Sequence, residues 1–225
     1  GDLDSSYFYF ELAKEKFTEE NDSLGIAKSL VMIGICQYNQ GDFFGAQETS
    51  LSATRYLDFN NKDHLSLLSY GYNNIANATD DLKQYNEAIP FYQKAIRYSN
   101  DSNASLVYKN NLAVCLRNAK RFSESIKLSE EILSKVSNGT INYAKFLNNL
   151  AKTNWMADPS YNPVPWYQKA LEIRIKQKDL WGQNSSYASL AKYYDGKNTD
   201  SSIYYLNKQY KIALEINSPD DELNA

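Results

Sequence analysis

An asparagine pair followed by Ile or Leu and then Ala occurs three times, in Tyr-Asn-Asn-Ile-Ala at 72–76, Lys-Asn-Asn-Leu-Ala at 109–113 and Leu-Asn-Asn-Leu-Ala at 147–151. A primary amide both donates and accepts hydrogen bonds. A row of amides one structural period apart could therefore hold the backbone of an extended peptide whatever its side chains. The same residues are costly in a helix, at roughly 0.6 kcal/mol each relative to alanine, because they compete with the backbone for hydrogen bonds. Something recurrent in the architecture, or something bound, must favour them. In one reading the first amide of each pair (Asn73, Asn110, Asn148) faces a ligand and the second (Asn74, Asn111, Asn149) bonds to an adjacent helix. In the other, both knit neighbouring helices together.

Residues for covalent or acid-base chemistry are scarce. The single histidine, His64, stands beside Asp63 in Asn-Asn-Lys-Asp-His-Leu, with no cysteine near it in sequence. Cys36 and Cys115 have neither a disulfide framework nor a metal-ligand spacing, and each follows an apolar anchor (Ile33, Leu112) by three residues. They read as small buried residues. No glycine-rich phosphate loop, nucleophile elbow or HExxH occurs. The expectation is no catalytic residue, no metal ligand, no cofactor and no enzyme.

A net charge of -3 over 225 residues gives no basic face for phosphate neutralisation, so nucleic acid is not expected to bind this segment. No apolar run approaches the roughly 18 residues of a membrane span, so membrane insertion is not expected either. The Gly-Asp-Leu-Asp-Ser-Ser start lacks a basic region followed by an apolar one. Six Asn-x-Ser/Thr triplets are no more than a chain rich in Asn and Ser produces by chance.

The elements that must position the amides show in an internal repeat. Phe-Tyr-Gln-Lys-Ala-Ile at 91–96 returns as Trp-Tyr-Gln-Lys-Ala-Leu at 166–171, and the Asn pairs stand at half that interval. Alignment gives five helix stripes that end in a small residue, at Gly34, Ala76, Ala113, Ala151 and Ala191. Eleven or twelve residues on stand Ala46, Ala88, Ser125, Pro163 and Ser202; seven further stand Ala53, Ala95, Ile132, Ala170 and Gln209. Turns closed by an aromatic separate the two helices of three units, at Gly41-Asp42-Phe43, Lys83-Gln84-Tyr85 and Lys120-Arg121-Phe122. The pattern predicts two antiparallel helices per unit, with small residues where axes approach closely. One pair cannot hide its apolar faces alone, so successive pairs must stack.

The pattern resembles the tetratricopeptide repeat family, with its small, aromatic and small positions in two helices per unit. It departs from the family in keeping glycine only at Gly34, in lacking the closing proline, and in a longer period of 37 to 42 residues. Pro163 and Pro165 fall where the first turn of a helix tolerates them. The resemblance implies an all-α, right-handed α-solenoid of about five and a half units. These form one domain over 1–225: a half unit at 5–17, then 23–58, 64–100, 102–136, 140–177 and 179–216. Helix starts are expected at Asp22 or Ser23, Asp63, Asp101 or Ser102, Thr140 and Asp179. The half unit and the acidic tail after Ile216 suggest a piece of a longer protein.

The resemblance also implies that first-helix residues line a concave groove holding a protein or extended peptide. Carried over residue by residue, the peptide-binding candidates are Asn73, Asn77, Asn110, Arg117, Lys145, Asn148, Lys152, Trp155 and Lys192. The lysines would favour an anionic ligand group, although the family's full carboxylate-clamp constellation is not reproduced. The lengthened, Asn-, Tyr- and Lys-rich repeats look like the sensory regions of bacterial membrane-anchored regulators. That likeness implies an array outside the cytoplasmic membrane, joined by one span to a histidine kinase or helix-turn-helix output, with dimerisation compatible with it. The alternatives are a cytoplasmic scaffold or co-chaperone-like adaptor, and a regulatory subunit of a catalytic complex.

Overall fold

A computed structural model describes residues 3–216, and all regular structure among them is helical. The helices are α1 (Leu3–Glu19), α2 (Ser23–Asn39), α3 (Phe43–Thr54), α4 (Lys62–Asp81), α5 (Tyr85–Tyr98), α6 (Ser102–Asn118), α7 (Phe122–Leu133), α8 (Ile141–Ala157), α9 (Val164–Lys176), α10 (Leu180–Tyr194) and α11 (Thr199–Ile216). One leading helix followed by five pairs is the number that the repeat predicts. The acidic tail read as a domain edge lies outside the described residues.

The helices fall into two compact units, residues 1–121 with α1–α6 and residues 122–225 with α7–α11. Within each unit every helix packs on its neighbours in the chain, and the even-numbered helices also pack on one another: α2 on α4 and α4 on α6, then α8 on α10. Within each unit no such close approach joins the odd-numbered helices. The even-numbered helices are thus the inner layer of each stack, and the small-residue positions explain how they come so close. Ala76, Ala113, Ala151 and Ala191 are at most 3% exposed, and Ala46, Ala53, Ala88, Ala95 and Ala170 are fully enclosed. At Gly34 a Cβ would stand 2.4 Å from Ser50 Oγ, so no larger residue fits without displacing it. Large side chains fill the grooves between: Tyr92 and Tyr167 are each 1% exposed. Cys36 and Cys115 are free and buried, as their spacing predicts, and the equivalent positions Ala78 and Thr153 are buried too.

Side-chain caps start the helices where the sequence places them, at Asp22, Asp101, Thr140 and Asp179. One differs. Asn61, not Asp63, caps α4, and its carboxamide accepts from Asp63 N at 3.0 Å. Both residue types can accept from a free amide, so the earlier one captures the role. Pro163 and Pro165 stand at the start of α9, where the missing N–H of a proline costs no intrahelical bond, and the Val164 N–H between them donates to Asn162 Oδ1 at 3.1 Å.

Five helix ends close in one way. A residue at positive φ (Asn21, Gly41, Lys83, Lys120, Lys178) lets the next N–H reach back five residues, as Gln84 N does to Thr79 O at 3.1 Å and Arg121 N to Leu116 O at 2.8 Å. Three of the five are lysines, which carry a Cβ penalty of about 1 kcal/mol or more in that conformation.

Two outcomes of opposite sign are expected in thermal melts. Lys83→Gly and Lys120→Gly each raise the midpoint by about 2–4 °C through relief of about 1 kcal/mol. Gly34→Ala lowers stability by about 1–3 kcal/mol, as overpacking does. The thiols give a third. Burial pushes Cys36 up and Cys115 up from its ordinary 9.0 to about 12. Neither should react with an aromatic disulfide at pH 8 until the protein is unfolded. A raised folded pKa means that the native chain keeps a proton the unfolded chain loses, so this contribution is complete below pH 9 and fades as pH rises towards about 12. Cys115→Ala should make alkaline destabilisation shallower across that window.

Candidate functional site

The asparagine row is built into the inner layer. Asn73, Asn110 and Asn148 are 8%, 2% and 4% exposed. Asn111 Nδ2 donates to Asn73 Oδ1 at 3.1 Å, which joins α6 to α4, and Asn148 Nδ2 donates to Ser189 Oγ at 3.1 Å, which joins α8 to α10. Asn74 Nδ2 reaches back to Ser50 Oγ of α3 at 3.1 Å, the adjacent-helix bond predicted for the second amide of a pair. Asn73 and Asn148 therefore bond across the helix interface, and Asn110 is enclosed in it, in place of the open groove position expected for all three. A second rung lies seven residues along, two helical turns on the same face, where Asn118 Nδ2 donates to Asp80 Oδ1 at 3.4 Å.

Two other candidates of the first unit sit differently from the expectation. Arg117 is 6% exposed and belongs to the buried side of α6, while Asn111, Val114 and Asn118 form its half-exposed row. Rotation of about 100° per residue explains the change: a stripe drawn one position early on a helix falls into the interface. Asn77 is half-buried, and its carboxamide oxygen accepts from the Tyr92 hydroxyl at 2.8 Å. Nearby, burial pushes the Asp80 carboxyl up while its bond from Asn118 pulls it down. The Tyr38 hydroxyl donates to Asp81, and burial with that carboxylate raises its pKa.

In the second unit the candidates converge. Lys145, Asn148, Lys152 and Trp155 follow one face of α8 at intervals of three and four. Lys152, Trp155 and Lys192 line a single cavity of about 510 Å³ between α8, α10 and α11. Its floor is Tyr167 of α9, Leu206 of α11 gives an apolar wall, and Ser189 of α10, already the acceptor for Asn148, supplies a hydroxyl. Lys192 Nζ lies 3.0 Å from Asp195 Oδ2, an exposed pair of little energetic weight that a ligand could open. The Trp155 ring stands edge-on to Tyr193 at 5.4 Å between centroids, with Lys197 Nζ 3.8 Å from the Tyr193 centroid. Lys145 lies outside the cavity lining. It is an exposed residue, and desolvation by the protein around it, with the Arg174 guanidinium, holds its pKa below the usual lysine value.

Arg174 is a polar anchor that sequence reading missed. It is 4% exposed, and its Nη1 donates to Gly182 O at 2.8 Å and to Ser186 Oγ at 2.6 Å, fixing α9 to the start of α10. Tyr167, Ser189 and Leu206 were missed as cavity residues because repeat periodicity marks them only as packing positions. Among the described residues no group of His, Cys, Asp or Glu could hold a metal ion, and no helix is long and apolar enough to cross a membrane. The cleft offers ammonium groups, an indole face and hydroxyls around an apolar floor. That lining suits a peptide segment bearing an anionic group.

Replacement of Asn73, Asn110 and Asn148 by Ala should lower the melting temperature, although each change recovers helix propensity. Buried partners left unsatisfied cost about 1–3 kcal/mol each, against roughly 0.6 kcal/mol gained. A double-mutant cycle on Asn148→Ala and Ser189→Ala should give a coupling of about 0.5–1.5 kcal/mol. Full additivity would remove the hydrogen bond from the account.

The tetratricopeptide repeat family matches over residues 71–99, the second half of α4 through α5. No curated protein sequence matches the chain. Among solved structures, BtubC from P. vanneervenii has a TM-score of 0.70 at 17% identity, covering 97% of this chain and 93% of its own. The apo form of RapI gives 0.75 at 15% identity, covering 95% of this chain and 78% of its own. A Rap protein complexed with Competence and Sporulation Factor gives 0.72 at 12% identity, covering 87% of this chain and 55% of its own. The local match and these likenesses support a tetratricopeptide repeat family, and the fold is that of TPR-like solenoids.

Proposed function

We propose that this chain is a non-enzymatic, peptide-binding repeat domain, and that it serves as the sensory or interaction region of a bacterial signalling regulator. The observation that carries the reading is the convergence of Lys152, Trp155 and Lys192 on one cavity in the inner layer of the second unit. An extended peptide would lie along the half-exposed faces of α8 and α10. Its acidic side chain or carboxylate would meet the lysines, and an apolar side chain would rest on Trp155 and Leu206. One similar fold was solved complexed with Competence and Sporulation Factor and another, a Rap conjugation gene regulator, in complex with the Phr* peptide, and the latter supports the reading. The signalling role and a position outside the cytoplasmic membrane rest on the resemblance of the repeats alone.

Display of random octapeptides on the purified chain tests the proposal. Selected peptides should carry Asp, Glu or a free carboxylate, and should quench Trp155 in a Trp166→Phe/Trp181→Phe background. Lys152→Gln and Lys192→Gln should each weaken binding about 3- to 10-fold, with loss growing at low salt, as expected for exposed charge pairs. Selection of no peptide, or affinities indifferent to both substitutions, would overturn it.

A further inference from the structure

Position 209 breaks the repeat. The equivalent residues of the other units, Ala53, Ala95, Ile132 and Ala170, are apolar and at most 1% exposed. Gln209 is 6% exposed, so a primary amide occupies a core position that Ala or Ile fills elsewhere. It shares one face of α11 with Ser202 and Leu206, at intervals of seven and three, and all three line the cavity of about 510 Å³ in the second unit. Among the described residues its carboxamide has no hydrogen-bond partner. A buried polar group left so costs about 1–3 kcal/mol, a cost that an apolar residue would avoid. A group that enters the cavity accounts for the amide. The first unit has a cavity too, of about 580 Å³, lined by Lys28, Asp63, Tyr70 and Asp101, but its buried polar residues are bonded: Ser69 Oγ donates to Ser66 O at 2.9 Å, and the Tyr108 phenol is bonded to Ser69.

The groups around Gln209 select among candidates. Ser202 Oγ donates to Ala191 O at 3.3 Å and Ser189 Oγ to Ser185 O at 2.9 Å. Their protons are thereby spent, which leaves each hydroxyl as an acceptor. The Gln209 carboxamide offers one acceptor oxygen and two N–H donors. A carboxylate can take the N–H groups, but it leaves the Gln209 oxygen unpaired and meets the serine lone pairs. An ammonium leaves the Gln209 N–H groups unpaired and is repelled by Lys152 and Lys192. An alkyl group pairs with nothing. A primary amide, which both donates and accepts, satisfies both ends of Gln209. The two lysines are exposed whereas Gln209 is buried, so a ligand can place its anionic group on the lysines and a neutral amide deeper in the cavity.

We propose that Gln209 is a specificity-determining residue that binds a carboxamide side chain, asparagine or glutamine, inserted by the bound peptide. The inference rests on the peptide-binding reading and adds a second recognised group to it, a neutral amide beside the anionic one.

The test is an NMR titration of the intact, ¹⁵N-labelled chain with propionamide, against butanone, which keeps the carbonyl and loses both N–H groups. Propionamide should shift the backbone amide signals of Ser189, Ser202, Leu206 and Gln209, and butanone should bind about tenfold more weakly, the loss of one or two hydrogen bonds. Gln209→Met, similar in length and helix propensity, should abolish the propionamide response. Its melting temperature should be unchanged or raised, because no bond within the chain is lost. Equal response to both probes, shifts confined to other residues, or a Gln209→Met variant that still responds to propionamide would each overturn the subsite. A lower melting temperature in that variant would make the amide a packing element and overturn it as well. Peptide display separates the two ideas: selected peptides without Asn or Gln enrichment overturn the subsite and leave peptide binding standing, while a display that yields no peptide overturns both.

Discussion

Close approach of helix axes is the constraint on which the rest of each stack depends. A helix pair in this chain buries one side of its apolar surface internally and needs the next pair for the other side. The covering pair can seat itself only where the crossing residues are small. Gly34, Ala46, Ala76 and Ala88 are such positions in the first unit, and Ala151, Ala170 and Ala191 in the second. Once the axes are that close, long polar side chains of the inner layer are forced into contact with the neighbouring helix. The hydrogen bonds Asn111 to Asn73 and Asn148 to Ser189 are therefore consequences of the apolar pattern as much as additions to it.

Those amides illustrate how a locally unfavourable choice becomes favourable in context. In an isolated helix the pair costs propensity; in the stack Asn73, Asn74, Asn111 and Asn148 each hold a bond to a neighbouring helix. A buried amide is expensive when unpaired and roughly neutral when paired, so the bonds tolerate one neighbour in one register and penalise slippage. Asn74 shows the link most directly. It donates to Ser50 Oγ, the same atom that excludes a Cβ at Gly34, so a small residue, a hydroxyl and an amide on three successive helices depend on one another.

Much of this was legible in the sequence, because spacing determines packing. The eleven helices, the small crossings, the buried unpaired cysteines and the turns at Gly41, Lys83 and Lys120 all follow from periodicity and residue size. Facing was less legible. Asn110 and Asn111 are one residue apart, yet one is 2% exposed and the other half-exposed, and sequence alone does not fix the rotation of α6 to better than that step. Arg117 was misplaced for the same reason. The cavities were not legible as enclosures. Asp63 and Asp101 read as cap residues, which Asp101 is, and nothing in a capping pattern says that either residue borders a concave space.

The two cavities differ in a way that bears on recognition. In the second unit Lys152 and Lys192 outweigh Asp195, whereas in the first Asp63 and Asp101 outweigh Lys28. Each carries an aromatic ring beside its charge, Trp155 in one and Tyr70 in the other. Nonspecific attraction of the whole chain for any one sign of ligand is weak, since its net charge is only -3. Selectivity must then come from local pairing inside concave sites, where part of the surrounding water is displaced and a mismatched charge is left without a partner. Discrimination of this kind needs no base, nucleophile or metal, and it agrees with a sequence that spends its polar residues on caps, inter-helix amides and a few exposed charges.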